Sequence, residues 1–261
     1  VVAIAYETVT SPAGKLPLLA PMSVVAGRMA VQVAAHFLGR AHGGRGVLLA
    51  GATGVPPGQV LILGAGVVGS NAALIALGIG AEVVVLSNSV PPLERLKTEL
   101  GPRLKTGIAT PQAIAKELPG ADAVIASAMV PGGLAPKLVT RPMLASMKQG
   151  AVVVDVSIDQ GGCFETSRPT THAEPVFTVD GILHYCVANM PGAVPRTSTY
   201  ALNHATLPFV KELAERGVVR ALVVNGHLRN GLNVCRGAVT QREVARARGY
   251  PYTEPLQALG E

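Results

Sequence analysis

Residues Gln59 to Ser87 read QVLILGAGVVGSNAALIALGIGAEVVVLS, and this stretch decides the fold. Val60-Leu61-Ile62-Leu63 is an unbroken apolar run of the kind that forms a buried strand. Gly64, Gly66 and Gly69 then spell G-x-G-x-x-G, with Val67 and Val68 inside the turn, at the entry to an apolar helix. Glu82 to Leu86 supplies the returning strand of a βαβ unit. The glycines differ in what they make possible. Gly64 permits the tight turn, Gly66 lets backbone approach a pyrophosphate, and Gly69 lets helix pack on strand. Phosphates then lie at the positive end of the helix. Glycine is abundant in this chain, so the pattern gains its meaning from the strand before it and the helix and strand after it. Together they point to a dinucleotide.

One element of that unit departs from the usual pattern. The tip of the second strand ordinarily carries an Asp or Glu that holds the adenosine ribose. Here the tip reads Leu86-Ser87-Asn88-Ser89. Ser87 offers a single hydroxyl and no carboxylate, which weakens discrimination against a 2′-phosphate, and no Arg follows at once to welcome one. NAD is the expected cofactor, with NADP left open.

The chain has 261 residues, of which 49% are hydrophobic and 15% charged, ample for a packed core and unlike a disordered protein. A formal charge of +6 raises nucleic acid as a partner, but the basic residues are scattered and only 3% of residues are aromatic, so none is expected. Cys163, Cys186 and Cys235 have no paired or metal-ligand spacing, which suggests free thiols in a reducing, cytoplasmic compartment. None of His36, His42, His172, His184, His204 and His227 has a metal-ligand spacing with another ligand type, so no metal is expected. Gly46 to Ala81 lacks any charge, yet Pro56, Pro57 and many glycines interrupt it, so buried strand plus core helix explains it better than stable membrane insertion. No Met precedes Val1, and the expectation is that an N-terminal portion lies elsewhere.

Strand and helix signatures alternate along the chain. A strand-like run opens at Val1, and Pro21 to Arg40 reads as a helix with Ser23 as its N-cap. After the βαβ unit come a helix over 92–100, an extended run over 104–109, a helix over 112–118, a strand over 121–127, a helix over 141–148 and strands over 151–156 and 182–187. This spacing predicts an α/β fold with an open, doubly wound parallel sheet. From Thr197 the pattern turns helical, over 206–216, 223–232 and 243–248. The expected organisation is a starting strand over 1–18, a dinucleotide domain over 19–195 and a helical return segment over 196–261, the first and last being parts of a second domain.

Ligands bind beyond the carboxyl ends of strands in such sheets. Three polar segments fall there: Ala126–Gly132, Ser157–Gly162 and Ala188–Gly192. Asp159 stands out because the preceding strand aims it at the cleft and Gly161-Gly162 follows; a turn or cap role is the alternative. Asp155, inside the strand, reads as a hydrogen-bonded structural acid. Asn189 either satisfies turn backbone or bonds near the nicotinamide. His184 reads as a packed core histidine and His172 as a surface one. Ser and Cys nucleophile motifs are absent, which disfavours hydrolase chemistry.

These residues resemble a known family. Tyr6–Val9 (YETV), Pro21–Ser23 (PMS), Ala26–Ala30 (AGRMA), Gly43–Leu49 (GGRGVLL), Val130–Thr140 (VPGGLAPKLVT), Ile158–Thr166 (IDQGGCFET), Arg168–His172 (RPTTH) and Val187–Thr199 (VANMPGAVPRTST) are similar to the bacterial alanine dehydrogenases. The same family includes the NAD-binding domain of proton-translocating transhydrogenase. The resemblance implies reversible, NAD-dependent deamination of L-alanine to pyruvate and ammonium, in a two-domain subunit of a homo-oligomer, a hexamer. It implies that Ser23 contacts the cofactor, that Val67 and Val68 lie under the pyrophosphate, and that Ala128, Met129, Val156, Ser157, Ile158, Asp159, Val187, Ala188, Asn189 and Met190 line the nicotinamide half. Asp159 matches the family's catalytic acid. Departures are Val24 in place of a Glu, Ser87 in place of the ribose-binding Asp, Pro92 in place of a basic residue and Ala109 in place of an adenine-contacting serine.

The resemblance also implies that a catalytic His, and the Arg and Lys that grip the substrate, belong to a segment preceding Val1. Residues 1–261 alone are then expected to bind NADH weakly and not to turn over alanine at a useful rate. The alternatives are a transhydrogenase-like NAD-binding component, or a non-catalytic dinucleotide-binding remnant.

Overall fold

The computed structural model describes residues 1–129 and 134–261; Val130 to Gly133, which include part of the expected Ala126–Gly132 segment, lie outside the described residues. The strands are β1 (Val2–Ile4), β2 (Gln59–Leu63), β3 (Glu82–Ser87), β4 (Leu104–Ile108), β5 (Ala123–Ala126), β6 (Val152–Asp155), β7 (Val176–Val179), β8 (Ile182–Tyr185), β9 (Leu232–Cys235) and β10 (Ala238–Val239). The helices are α1 (Ala20–Phe37), α2 (Val67–Gly78), α3 (Val90–Leu100), α4 (Pro111–Glu117), α5 (Arg141–Leu144), α6 (Pro195–Arg216), α7 (Val218–Val224), α8 (Gly226–Arg229), α9 (Arg242–Arg248) and α10 (Pro255–Leu259). The chain divides into two compact units, Ser23–Ala193 and Val1–Met22 with Val194–Glu261.

The larger unit is built on a seven-stranded sheet of order β4-β3-β2-β5-β6-β8-β7. All its pairings are parallel except β7 with β8. The chain runs outward from β2 through β3 to β4, then returns past β2 to β5, β6 and β8. Counted from β2, this is the doubly wound dinucleotide-binding order, whose switch point lies between β2 and β5. Strands β5, β6 and β8 are buried throughout, as are all of β2 and β3 after their first residues. That burial explains why their sequences are continuous apolar runs and not alternating ones. Helix α2 packs on β2, β3 and β5, and α3 on β3 and β4. Buried Gly69, Ala72, Ala73 and Ala76 keep α2 close to the sheet.

At the amino end of β5, buried Asp122 accepts a hydrogen bond from the Gln59 N–H at 2.9 Å and pairs with Arg45 at 2.9 Å and Lys148 at 3.2 Å. This cluster ties the segment after α1 to the sheet, at the edge away from the glycine turn.

In the smaller unit β1, β9 and β10 form a three-stranded antiparallel sheet. Its core is Val9, Leu18, Ala221, Leu222, Leu228, Leu232, Cys235 and Leu259. No helix among the described residues is long and apolar enough to cross a membrane.

Several expectations need correction. Ser23 does not cap α1: the helix starts at Ala20, whose N–H already bonds the Leu16 carbonyl at 3.0 Å, and Pro21 suits a first turn. The 223–232 span is not one helix. Asn225 leaves helical geometry (φ −99°, ψ 93°) and its side chain accepts the Leu228 N–H at 3.0 Å, ending α7 and starting α8; Leu232 then enters β9. The tail is therefore mixed, because β1 draws β9 into a ladder. The large sheet also carries an antiparallel edge, β7, joined to β8 by Asp180-Gly181 at φ 51° and 79°. Helix α3 begins at Val90, ahead of the expected 92, and α5 stops at Leu144, short of the expected 148.

Candidate functional site

The glycine turn lies where β2 meets α2. Gly64 has φ 112°, and its N–H bonds the Leu86 carbonyl at 2.8 Å, which fixes the turn beside the tip of β3. A Cβ on Gly69 would overlap the Gly64 carbonyl oxygen, so only glycine lets α2 start this close to β2. Gly66 is different. A Cβ there would meet no protein atom within 4 Å, and its φ of −73° suits any residue. Space beside Gly66 is therefore open, as backbone contact with a pyrophosphate requires. The first turn of α2 carries no acid and no side-chain cap, which leaves its N–H groups free to face an anion. Val67 is exposed and Val68 half-buried at this turn.

Two residues that the sequence did not single out brace the turn. The Ser127 hydroxyl donates to the Leu63 carbonyl at 3.2 Å and sits against Gly64 and Gly69. Gly27 of α1 lies so near the Val68 carbonyl that a Cβ would overlap it. Helix α1 thus crosses the first turn of α2 in close contact, and Ser23 lies one helical turn before that crossing. Arg28 adds a bond from Nε to the Asn71 Oδ1 at 3.0 Å.

Ser87 ends β3 with only 7% of its surface exposed. Its carbonyl accepts the Ala109 N–H at 2.9 Å, while its hydroxyl makes no hydrogen bond among the described residues. A buried hydroxyl left over beside the glycine turn fits a ligand that brings its own polar groups, as an adenosine ribose does. The open space at Gly66, the uncapped helix start and this hydroxyl all suit a dinucleotide.

The ends of β5, β6 and β8 lie on the same edge, since these strands run parallel to β2. The Ser127 N–H bonds the Leu63 carbonyl at 2.9 Å and the Val156 N–H bonds the Ala126 carbonyl at 3.0 Å, lacing one strand end to the next. Ala128 is half-buried and Met129 is exposed. The Ser157 hydroxyl donates to the Ala128 carbonyl at 2.7 Å. Val156 and Ser157 are half-buried and Ile158 is buried. Asp159 projects from the 3-10 turn Ile158–Gln160; it is exposed and has no side-chain partner among the described residues. After β8, Val187 and Met190 are buried while Ala188 and Asn189 are exposed. Asn189 takes φ 52°, a left-handed geometry that Asn tolerates, and its amide nitrogen and the His172 Nε2 both border Gly192.

Asp155 is a structural acid, as read from the sequence. It accepts the N–H groups of Ser157 (3.1 Å), Cys163 (2.7 Å) and Phe164 (3.4 Å) and the Ser167 hydroxyl (2.5 Å). Burial holds its carboxyl above the usual range, against those four bonds. Burial also pushes the Cys163 thiol up to about 11 and Cys186 to about 12, so neither supplies a thiolate at neutral pH. His184 is buried, and burial lowers its pKa. The Ile182 carbonyl, 3.0 Å from Nδ1, requires the proton there, so Nε2 accepts from Thr166 at 2.8 Å. His184 is thus neutral and committed, and His172 is exposed. Of the two aspartates at the β6 end, Asp159 is the exposed one and has no side-chain partner among the described residues.

The family model described as alanine dehydrogenase/PNT, C-terminal domain, matches residues 30–242. An alanine dehydrogenase from Halomonas elongata is 58% identical over 257 residues, which are 98% of this chain and 69% of that protein. A solved L-alanine dehydrogenase superposes with a TM-score of 0.91 at 47% identity, covering 95% of this chain and 68% of that one. The solved transhydrogenase from Sinorhizobium meliloti gives a TM-score of 0.75 at 25% identity, covering 92% and 68%. With the sheet order, the glycine turn and these similarities in agreement, the chain belongs to the alanine dehydrogenase/PNT C-terminal domain family.

Proposed function

We propose that this protein catalyses the reversible, NAD-dependent oxidative deamination of L-alanine: alanine, NAD and water give pyruvate, ammonium, NADH and a proton. The observation that carries this reading is the 58% identity to an alanine dehydrogenase across 98% of the chain, over a unit whose strand order and glycine turn suit a dinucleotide. When bound, NAD supplies the acceptor for a hydride from the substrate carbon. Gly64, Gly66, Val67, Val68 and Gly69 hold the pyrophosphate at the start of α2, Ser23 contacts the cofactor from α1, and Ser87 meets the adenosine ribose. Ala128, Met129, Val156, Ser157, Ile158, Val187, Ala188, Asn189 and Met190 form the wall that orients the nicotinamide half. Asp159, exposed and unpaired, holds and moves the proton at the reacting amine. The unit of residues 1–22 and 194–261 belongs to the substrate side. The protein works as a homo-oligomer in the cytoplasm.

The test follows NADH formation from alanine and NADH consumption with pyruvate and ammonium, alongside NADH binding by fluorescence. Turnover in both directions is expected when the segment expected before Val1 is supplied, in the same polypeptide or as a separate chain, whereas residues 1–261 alone should bind NADH weakly and not turn over. With that segment present, NADH binding without turnover in either direction would overturn the deaminase reading and leave dinucleotide binding standing; no NADH binding would overturn both. A second reading, a hydride carrier between two dinucleotides, rests on the similarity to the Sinorhizobium meliloti transhydrogenase. It requires hydride exchange between NADH and a second dinucleotide without alanine.

A further inference from the structure

The loop that carries Asp159 leaves β6 and returns through Gly161 (φ 91°) and Gly162 (φ 76°) to Cys163 and Phe164. The two consecutive left-handed glycines turn the chain sharply, and the Gly161 and Gly162 N–H groups close the turn on the Ile158 and Ser157 carbonyls at 2.9 and 3.0 Å. The turn receives support of opposite sign from two sides. Lys137 Nζ donates to the carbonyls of Gly161 at 2.5 Å, Gly162 at 2.9 Å and Phe164 at 3.1 Å. Asp155 Oδ2 accepts the N–H groups of Cys163 and Phe164, and Oδ1 accepts that of Ser157. The Gly162–Cys163 peptide is gripped at both ends, its carbonyl by the ammonium and its N–H by the buried carboxylate, 2.7 Å away. No direct ion pair joins Lys137 to Asp155 among the described residues; the peptide dipole lies between them, aligned with both charges. Gly162 is essential to this contact, because a Cβ there would come within 2.6 Å of Asp155 Oδ2.

We propose that Lys137 is a positioning residue for the reaction: with Asp155 it clamps the Gly162–Cys163 peptide and so sets where the Ser157 to Asp159 segment presents Asp159. The clamp is stronger than its exposure suggests. Each of the three Lys137 bonds is charge-assisted, and such bonds are about twice as strong as neutral ones. Asp159 itself has no side-chain partner among the described residues to hold it. Its position therefore follows from the backbone of this turn, and the clamp anchors the returning arm of that turn from outside.

The proposal rests on the role given to Asp159 above, and its test separates the two. In the full-length polypeptide, Lys137→Met, Asp159→Asn and the double variant are compared for alanine turnover, NADH affinity, melting temperature and amide exchange. Lys137→Met should lower kcat about tenfold to a hundredfold, the scale of a misplaced group. The affinity for NADH should stay within a factor of about three, because the glycine turn is untouched. The double variant should be no slower than Asp159→Asn alone, the non-additivity expected when one residue acts through another. Amide exchange should speed up in 157–164 and not in β2 or β5. Independent, multiplying losses, or unchanged exchange in 157–164, would overturn the clamp. Full activity in Asp159→Asn would instead overturn the role of Asp159, while the exchange result still decides whether Lys137 holds the turn.

Discussion

Gly66 and Gly69 belong to one motif, yet the structure gives them separable roles, and alanine at each position should fail in a different way. In Gly69→Ala the new methyl overlaps the Gly64 carbonyl and comes within 3.2 Å of Ser127 Oγ. The carbonyl is backbone and cannot move aside, and the hydroxyl is held by its bond to the Leu63 carbonyl at 3.2 Å. Overpacking of this kind costs about 1–3 kcal/mol. At about 2–4 °C per kcal/mol for a unit of this size, the melting temperature should fall by about 2–12 °C. Gly66→Ala meets no protein atom within 4 Å and keeps an allowed φ of −73°. Replacing glycine at an N-cap loses up to about 1 kcal/mol, and the stiffer unfolded chain returns about 0.4–1 kcal/mol, so stability should change little. The methyl does occupy the space assigned to the pyrophosphate. If displacing the phosphates costs the same 1–3 kcal/mol as overpacking, the Kd for NADH rises about 5-fold to 150-fold.

The assay is a paired one: thermal unfolding of both variants without cofactor, then NADH titration by fluorescence at a fixed salt concentration. The expected pattern is a stable Gly66→Ala that binds poorly and a destabilised Gly69→Ala. Wild-type NADH affinity in Gly66→Ala would refute the placement of the pyrophosphate. An unchanged melting temperature in Gly69→Ala would refute the close packing of α2 on the turn.

Three further outcomes follow from single side chains. Ser87→Asp should tighten NAD by about tenfold to a hundredfold, the worth of a charged hydrogen bond to the ribose, and penalise NADP; titration with both cofactors checks this, and no gain for NAD defeats it. Asp159→Asn should lower kcat by about 10²–10⁴-fold and leave the melting temperature unchanged, since the side chain is exposed and unpaired; parallel losses of activity and stability would make it a structural residue. Asp155 is held by burial above the ordinary carboxyl value of 3.8, so the native state binds its proton more tightly than the unfolded chain does. The resulting stabilisation is complete below 3.8 and is lost as pH rises through the native value, so the stability of wild type relative to Asp155→Asn should fall across the window just above 3.8. Urea unfolding across that range tests the sign, and a flat or rising difference would contradict it.

The central sheet was legible because its strands are buried on both faces and so appear as uninterrupted apolar runs between glycine-marked turns. The edge strand β7 was not. It is only half-buried, with Thr178 exposed, and its one clear signal, the Asp180-Gly181 turn at φ 51° and 79°, favours a hairpin without naming a sheet. Strands β9 and β10 share that difficulty, since β9 pairs with β1 from the opposite end of the chain. Asp155 and His184 were readable as core polar residues, because an acid or imidazole within an apolar strand must find partners inside. The roles of Ser127, Gly27 and Lys137 lay beyond the sequence. Each acts on backbone atoms distant along the chain, and a bond to a carbonyl leaves no trace in the identity of the residue that owns it.

The two aspartates at the end of β6 illustrate how position alone divides structure from chemistry. Asp155 is the last residue of the strand, so its side chain stays within the fold, where backbone and hydroxyl donors from the returning loop converge on it. An acid so fully engaged cannot exchange a proton with a substrate without giving up bonds that hold the loop. One 3-10 turn further on, Asp159 has left the sheet and faces solvent with no side-chain partner among the described residues. The buried acid shapes the loop, and the loop carries the exposed one to the edge where the glycine turn also opens. Exchanging the two environments would remove the division that the role proposed for Asp159 requires: an Asp159 bonded like Asp155 could not take up a proton without giving up those bonds, and an Asp155 left unpartnered would carry an uncompensated buried charge. The G-G pair at Gly161 and Gly162 makes this division possible, because it lets a short stretch of chain turn back sharply enough to deliver donors to one carboxylate while exposing the other.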